Sequence, residues 1–193
     1  EWAEVISSVI QGMVMGGIFF DIFIDDIDAA VTAALLKKFA DNTKVAKIIA
    51  DVGDAVQMQT NLDRISEWAA RWEMRSNIGK CVVMHIGKKD IRYEYKMNGV
   101  KIREVKEEMD LGVWMEEDLR PSKQCRMAAQ STNWAFGQLS RAFHFRKASS
   151  LIPLYKTFIR PKLEHAVAAW SPWLEGDREI GRYWRKFKRG WLG

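Results

Sequence analysis

The stretch KKFADNTKVAK, residues 37–47, places an aspartate and an asparagine side by side between two short runs that could each form a strand. Because Asp and Asn both tolerate left-handed backbone angles, the pair Asp41–Asn42 suits the tight turn of a β-hairpin. The pattern therefore predicts two antiparallel strands joined at this pair. On these residues alone, Asp41–Asn42 is either a polar turn or the remainder of a metal site at a hairpin tip.

The composition is that of a folded chain. Hydrophobic residues make up 48% of the 193 residues, enough for the core of one domain, or of one domain and a fragment. The formal charge of +5 is compatible with a phosphate-bearing partner. The two cysteines have no metal-ligand spacing, which favours a reducing, intracellular compartment, either nucleus or cytoplasm.

Aspartates at 21, 25 and 26 interrupt the most apolar segment, so the sequence predicts no membrane span and a soluble chain. The chain starts at Glu1 without an initiating Met, a signal peptide or a clear N-cap. We interpret it as a fragment of a longer protein. The sequence gives no indication of an oligomeric state.

Working outward from the quoted stretch, the pattern predicts strands and helices in alternation. GGIFFDIFIDDID (16–28) predicts a mostly buried helix with a polar stripe at 21, 25 and 28. DRISEWAARW (63–72) predicts a helix that Asp51 or Asp54 caps and that buries Trp68 and Trp72. Three further stretches predict strands, the second of them a hairpin turning at Asn98–Gly99: CVVMHIG (81–87), YEYKMNGVKIREV (93–105) and DLGVWM (110–115).

After Pro121 the pattern changes to helices. Pro121 suits the first position of a helix over residues 121–143, and Pro161 is expected to end or kink a later helix. The fold class predicted from the sequence is therefore α+β. Residues 1–118 form a mixed layer of hairpins packed on helices, and residues 119–193 form a small helical subdomain.

The order of these motifs resembles the palm and thumb of reverse transcriptases from non-LTR (LINE- or jockey-like) retrotransposons. The resemblance covers nearly the whole chain and depends on six segments in order: SSVIQGMVMGGIFFDIFIDDI, FADNT, LDRISEWAARWEMRSNIGKCVVMHIG, YKMNGVKI, DLGV and LYKTFIRPKLEHAVAAWSPW. It implies a partial polymerase palm over 1–118, a helical thumb over 119–193, and descent from an RNA-directed DNA polymerase.

The resemblance also implies roles for individual residues. Asp41 matches the first residue of the family's catalytic Asp-Asp pair, a metal ligand for two Mg²⁺ ions, and Asn42 replaces the second. The partners implied are an RNA template, a DNA primer and deoxynucleoside triphosphates. The remaining matches are a lysine proposed to protonate the leaving pyrophosphate, a nucleotide-binding loop and a primer-grip turn: Lys80; Gln11 and Gly12; Leu111, Gly112 and Val113.

Each of these positions also has a plain structural interpretation. Lys80 could be a solvated lysine before a strand, and Gly112 an ordinary strand glycine. Asp21, Asp25 and Asp28 are interpreted as a solvated helix stripe, and the three histidines as structural. The basic and aromatic C-terminal tail either binds single-stranded nucleic acid or is a basic terminus without a partner, and its candidate residues are Arg182, Trp184, Arg185, Lys186, Lys188 and Arg189.

Three functions follow. The first is a reverse transcriptase fragment that is inactive as this chain, since Asn42 carries no charge and the family's first catalytic aspartate is expected upstream of Glu1. The second is a nucleic-acid-binding module without polymerase chemistry. The third is a decayed remnant, for which a broad, non-cooperative thermal melt is expected.

Overall fold

The computed structural model describes residues 13–87, 90–143 and 148–171. Helices alternate with small two-stranded sheets, most of them antiparallel, so the α+β class is confirmed. None of the described helices combines the length and the hydrophobicity of a membrane-spanning segment. The described residues divide into two compact units: 13–83 with 90–104, and 84–87 with 105–143 and 148–171.

The first unit opens with a short helix whose apolar side chains remain accessible. Helix α1 (Gly16–Phe23) has no buried residue, and Ile22 is 68% exposed. A 3₁₀ turn over Asp25–Ala30 follows and buries Ile27. The prediction of one mostly buried helix over 16–28 is thus wrong, because the helix ends at Phe23 and only Ile24 and Ile27 of the segment are buried.

The quoted stretch forms the predicted hairpin. Strands β1 (Leu35–Phe39) and β2 (Asn42–Ala46) pair in an antiparallel register that sets Phe39 opposite Asn42. The turn is therefore Ala40–Asp41, one residue earlier than predicted. Ala40, with a φ of 48°, takes the left-handed conformation that the sequence assigned to Asp or Asn.

Helix α2 (Val52–Arg71) is the main helix of the first unit. Asp51 Oδ1 accepts the Asp54 N–H at 2.9 Å, and Asp54 Oδ2 accepts the Ala50 N–H at 2.9 Å. Both predicted capping residues are thus used at the start of the helix. Trp68 is buried as predicted, whereas Trp72 remains 43% exposed and meets the edge of Phe23.

Two amide side chains of α2 pair with the backbone of neighbouring segments. Asn61, fully buried, accepts the Thr32 N–H at 3.0 Å and donates to the Thr32 carbonyl at 2.9 Å. Gln59 repeats the pattern on Lys96, with both bonds at 2.9 Å. Each side-chain amide thus forms the pair of hydrogen bonds that a residue of a neighbouring strand would form through its backbone. The two pairings fix the segment before β1 and the segment at Lys96.

Four two-residue strands complete the first unit. Strand β3 (Val82–Val83) pairs in parallel with β6 (Arg103–Glu104), so only two residues of the predicted strand 81–87 are extended in a sheet. Strands β4 (Lys96–Met97) and β5 (Val100–Lys101) form the predicted hairpin. Asn98 and Gly99 both have positive φ there, at 50° and 76°, as an Asn-Gly turn requires.

From residue 105 onward, the second unit opens with a hairpin where the sequence predicted one strand. Strands β7 (Glu107–Asp110) and β8 (Val113–Glu116) are joined by Leu111–Gly112. The prediction of a single strand over DLGVWM is therefore wrong. Leu111 and Gly112 have φ values of 47° and 83°, and leucine, unlike asparagine, gives little sequence sign of a left-handed turn.

Helices follow, as predicted. Helix α3 (Ser122–Ala142) begins directly after Pro121, which is its N-cap rather than its first residue. A helical run then continues through Pro161, so the helix does not end at that proline; of the two predicted outcomes, an end or a kink, only the end is wrong. The run consists of α4 (Ala148–Leu154), a π-helical turn (Tyr155–Ile159) and α5 (Arg160–Glu164). The wider turn precedes Pro161, which has no N–H to donate; Ala166 (φ 49°) then separates α5 from α6 (Val167–Trp170).

Candidate functional site: two hairpins

The tip of the β1–β2 hairpin exposes both residues of the candidate metal site. Asp41 lies in the two-residue turn and Asn42 starts β2, and both side chains are exposed. Along the strands, burial alternates, so that Leu36 and Val45 pack on the core while Phe39 is 61% exposed. The hairpin therefore has one face on the core and presents its tip to solvent.

Lys38 fixes this hairpin to the residues that follow α1. Its Nζ donates to the carbonyl oxygens of Ile24 (3.3 Å) and Asp25 (3.2 Å) and to Asp28 Oδ2 (3.1 Å). A cation is favourable here because carbonyl groups at the end of a helix lack partners within the helix. Asp25 and Asp28, interpreted from the sequence as a solvated stripe, thus also position the hairpin.

A second lysine fixes the end of the hairpin to α2. Lys47 Nζ lies 3.1 Å from Asp54 Oδ1 and also donates to Gln57 Oε1, with its side chain only 8% exposed. The Ala50 N–H and the Lys47 ammonium hold the pKa of Asp54 below its usual value. Neither Lys38 nor Lys47 was singled out in the sequence, although both occupy the quoted stretch.

Asp26 makes a further polar contact, which the sequence pattern did not predict. Its Oδ1 accepts a hydrogen bond from the buried Trp68 Nε1 at 2.8 Å, across 42 positions in the chain. The pairing satisfies the one polar atom of the tryptophan ring. Only knowledge of the tertiary packing could have connected these two residues.

The described residues do not fit a site for two divalent ions. Within residues 13–87, 90–143 and 148–171, no three His, Cys, Asp or Glu side chains lie together as metal ligands would. Asp41 contributes one carboxylate, and Asn42 contributes a neutral amide oxygen. Two closely spaced divalent ions need several hard, anionic ligands, so this hairpin tip alone cannot hold them.

Lys80 is not linked to this hairpin tip by hydrogen bonds among the described residues. It ends a 3₁₀ turn (Ile78–Lys80) just before β3, and its side chain is exposed. Among the described residues, no hydrogen bond or ion pair joins Lys80 to Asp41. Its proposed part in proton transfer stays a prediction.

The second hairpin is built around its turn. His165 Nε2 lies 3.0 Å from the Leu111 carbonyl oxygen, and a Cβ added to Gly112 would lie only 2.8 Å from the same nitrogen. Because the carbonyl can only accept, Nε2 carries the proton and donates. The φ of 83° favours glycine at 112, and a side chain there would also force the exposed ring of His165 to shift. His165 thus supports the turn, in line with the structural role expected from the sequence.

The strands of this hairpin are held by the start of α3. Buried Gln124 accepts the Trp114 N–H at 2.9 Å through Oε1, and Glu116 accepts the Lys123 N–H at 3.1 Å. The Lys123 ammonium lies 3.6 Å from the centre of the Trp114 ring and forms an ion pair with Glu107. Leu111, Gly112 and Val113 thus form a firmly supported turn, and their role as a primer grip stays a prediction.

The other candidate residues lie outside the described residues. These are the loop residues Gln11 and Gly12 and the tail residues Arg182, Trp184, Arg185, Lys186, Lys188 and Arg189. Comparison of the chain with protein-family models, curated proteins and solved structures finds no match. The functional argument therefore depends on the order of the sequence motifs and on the two hairpins.

Proposed function

We propose that this chain is a segment of an RNA-directed DNA polymerase of the non-LTR retrotransposon type, comprising part of the palm and the thumb. The observation that carries the proposal is the position of Asp41. It occupies a two-residue turn at the exposed tip of an antiparallel hairpin, in the segment FADNT. A carboxylate so placed can reach a ligand outside the chain without disturbing the core.

The proposal assigns the other positions by the same resemblance. Lys80 serves as a proton donor near the phosphates, and Leu111–Gly112–Val113 contact the primer strand. The template is RNA, the primer is DNA, and deoxynucleoside triphosphates are the substrates of an intact relative. Gln11 and Gly12 belong to the nucleotide-contacting loop in this interpretation.

As this chain alone, the segment should not extend a primer. The described residues supply one carboxylate at the tip, and the neutral Asn42 cannot replace the missing charge. Incubation with a primed RNA template, deoxynucleoside triphosphates and Mg²⁺ or Mn²⁺ should give no product above that of heat-denatured protein.

A chimera tests the ancestry directly. The fingers and the remaining palm of an active polymerase of this family would be joined to this chain, with and without Asn42→Asp. We expect the substitution to raise primer extension at least tenfold, which corresponds to about 1.4 kcal/mol of barrier. The physical reason is the added negative charge beside Asp41, where the amide offers only a dipole.

The matched control is Asn98→Asp, which adds the same charge at the other Asn-containing turn and should leave extension unchanged. Asp41→Ala should abolish extension in every chimera. A folded Asn42→Asp chimera that extends no primer, or one that still works without Asp41, would contradict the proposal. Equal rates in the chimeras with and without Asn42→Asp would show instead that the site tolerates the amide.

A nucleic-acid-binding module without polymerase chemistry is the second candidate. The observation that favours it is Trp134 of α3, which is 65% exposed on a helix that carries Arg126 and Arg141 but no aspartate or glutamate. It does not require the polymerase ancestry.

A further inference from the structure

The segment 93–97 of the first unit is extended and has two backbone edges. Its side chains alternate between inward and exposed positions, which is the period of a strand. One edge pairs within the hairpin, where the Ile102 N–H donates to the Tyr95 carbonyl at 2.9 Å. Successive residues of an extended chain direct their N–H and carbonyl groups to opposite edges. The other edge is therefore formed by the backbone groups of Glu94 and Lys96.

This second edge is paired at only one of its two residues. The side-chain amide of Gln59 occupies the Lys96 backbone through two hydrogen bonds of 2.9 Å. The N–H and the carbonyl of Glu94 form no hydrogen bond with the described residues. An unpaired edge of this kind can accept the backbone of a further extended chain. We call the backbone edge formed by Glu94 and Lys96 the Glu94 edge.

An open gap of about 500 Å³ lies along the Glu94 edge. Its lining residues come from α2 and from the β4–β5 hairpin with the segment before it: Gln59, Asp63, Tyr93, Glu94, Lys96 and Gly99. The volume falls within the range of about 300–1,000 Å³ that is usual for ligand pockets. The gap thus provides room for an added chain beside the unpaired backbone groups.

The charges in the gap select the side chain that it would accept. Asp63 Oδ1 accepts a hydrogen bond from Gln59 Nε2 at 2.8 Å, and Oδ2 has no partner among the described residues. Glu94 is already paired with Lys101 at 2.5 Å, which holds the pKa of Glu94 below its usual value. Asp63 is thus the carboxylate that remains for a ligand. The half-buried Tyr93 offers an apolar wall for the aliphatic stem of a basic side chain.

Lys96 limits the charge of the ligand. Its ammonium forms no hydrogen bond or ion pair with the described residues, and it lines the same gap. A run of several basic residues would be repelled by this ammonium, whereas a single basic residue between neutral ones would not. A polyanion is disfavoured by the two carboxylates that line the gap.

We propose that the Glu94 edge binds an extended peptide segment that carries one lysine or arginine between neutral residues. The basic residue lies opposite Glu94, so that its N–H donates to the Glu94 carbonyl and its carbonyl accepts the Glu94 N–H. Its cationic side chain reaches Asp63. The added strand ends at Lys96, where the Gln59 amide occupies the backbone, so the contact is short and the affinity is in the millimolar range. The inference does not rest on the proposed polymerase ancestry.

The test titrates blocked tripeptides into the full, isotopically labelled chain and follows the Glu94 amide signal in proton–nitrogen correlation spectra. The probes are acetyl-Val-Lys-Val-amide and, with the opposite charge, acetyl-Val-Glu-Val-amide. We expect the lysine peptide to shift this signal and to slow its exchange with water, because the N–H gains a hydrogen bond. The glutamate peptide should bind more weakly. A lysine peptide methylated on its central nitrogen lacks the N–H donor and should bind at least about threefold more weakly.

A charge variant tests the role of Asp63. Asp63→Asn keeps an oxygen acceptor for Gln59 but removes the charge, and it should weaken binding of the lysine peptide about 2- to 5-fold, as the loss of an exposed ion pair does. Binding of the neutral acetyl-Val-Gln-Val-amide should not change. The matched control is Glu67→Gln, which removes the same charge from an exposed residue one turn further along α2, outside the gap, and should leave the affinity unchanged.

Several results would overturn the inference. They are a Glu94 signal that the lysine peptide does not shift at millimolar concentration, equal or tighter binding of the glutamate peptide, and unchanged affinity of the methylated peptide. Equal effects of Asp63→Asn and Glu67→Gln would also overturn it, as would a Glu94 signal that responds to oligouridylate and not to the peptide. Peptide binding by a chain whose chimera extends no primer would support the inference and contradict only the polymerase proposal.

Discussion

The hairpins β1–β2 and β7–β8 both turn in two residues, but they are held at opposite ends. Lys38 and Lys47 fix β1–β2 through its strands and its end, whereas the side chain of Asp41 at the tip makes no hydrogen bond or ion pair with the described residues. In β7–β8 the turn itself is fixed, by His165. An unsupported tip can carry an exposed functional group, while a supported tip restricts the residues allowed there.

The largest effect is expected at the supported tip. Gly112→Ala would place a methyl group 2.8 Å from His165 Nε2 and force alanine to a φ of 83°. We expect a loss of about 2–4 kcal/mol in the free energy of unfolding, from backbone strain and overpacking together. Urea denaturation of the variant and the wild type measures it.

Gly99→Ala is the matched control, because Gly99 has a similar φ of 76° but nothing within 4 Å of an added Cβ. It should lose only the strain, about 1–2 kcal/mol. Adding His165→Ala to Gly112→Ala removes the clash, so the double variant should lose less than the two single variants together. Equal losses in Gly112→Ala and Gly99→Ala would show that His165 does not restrict the turn.

An intermediate effect is expected on the strands of β1–β2. Lys38→Met keeps the aliphatic stem but removes three hydrogen bonds, including one to the Ile24 carbonyl. The expected loss is about 1–2 kcal/mol, since polar groups near the core lose their partner. Lys37→Met, on the exposed face of the same strand, should change stability by less than about 0.5 kcal/mol. Indistinguishable variants would mean that Lys38 does not anchor the hairpin.

The smallest effect concerns pH at the end of β1–β2. The Ala50 N–H and Lys47 hold the pKa of Asp54 below its ordinary 3.8, so the folded state favours the carboxylate. This stabilisation is present above about pH 4 and is lost as the pH falls through the lowered pKa. Between about pH 6 and pH 3, Asp54→Asn should lose less stability than the wild type. A Glu94→Gln background removes the parallel contribution of Glu94, whose pKa Lys101 lowers.

Much of the fold could be predicted because local signals agreed with the tertiary structure. The Asn98–Gly99 turn, the Asp51 cap and the helix after Pro121 each depend on a few adjacent residues. Predictions failed where the local sequence was compatible with more than one structure. Leu111 adopts a left-handed angle that its side chain does not favour, and α1 buries none of its residues although its sequence is strongly apolar.

Less of the candidate site could be predicted. The sequence located the hairpin and its two polar residues but shifted the turn by one position, because the strand register assigns Asn42 to β2. Contacts between residues distant in sequence, such as Asp26 with Trp68 and His165 with Leu111, leave no periodic signal. The exposure of Trp134 on α3 was also missed, since a tryptophan within a helical pattern gives no sign of being exposed.

The parallel pairing of β3 with β6 has a consequence for synthesis on the ribosome. Strand β3 ends at Val83, and its partner β6 ends at Glu104. The first four residues of the connection between them, 84–87, belong to the second unit. The first unit therefore cannot close its last sheet until Glu104 has left the exit tunnel, although most of its core residues emerge earlier. Co-translational folding should accordingly be delayed beyond Val83, and nascent chains halted just before β6 should remain sensitive to protease.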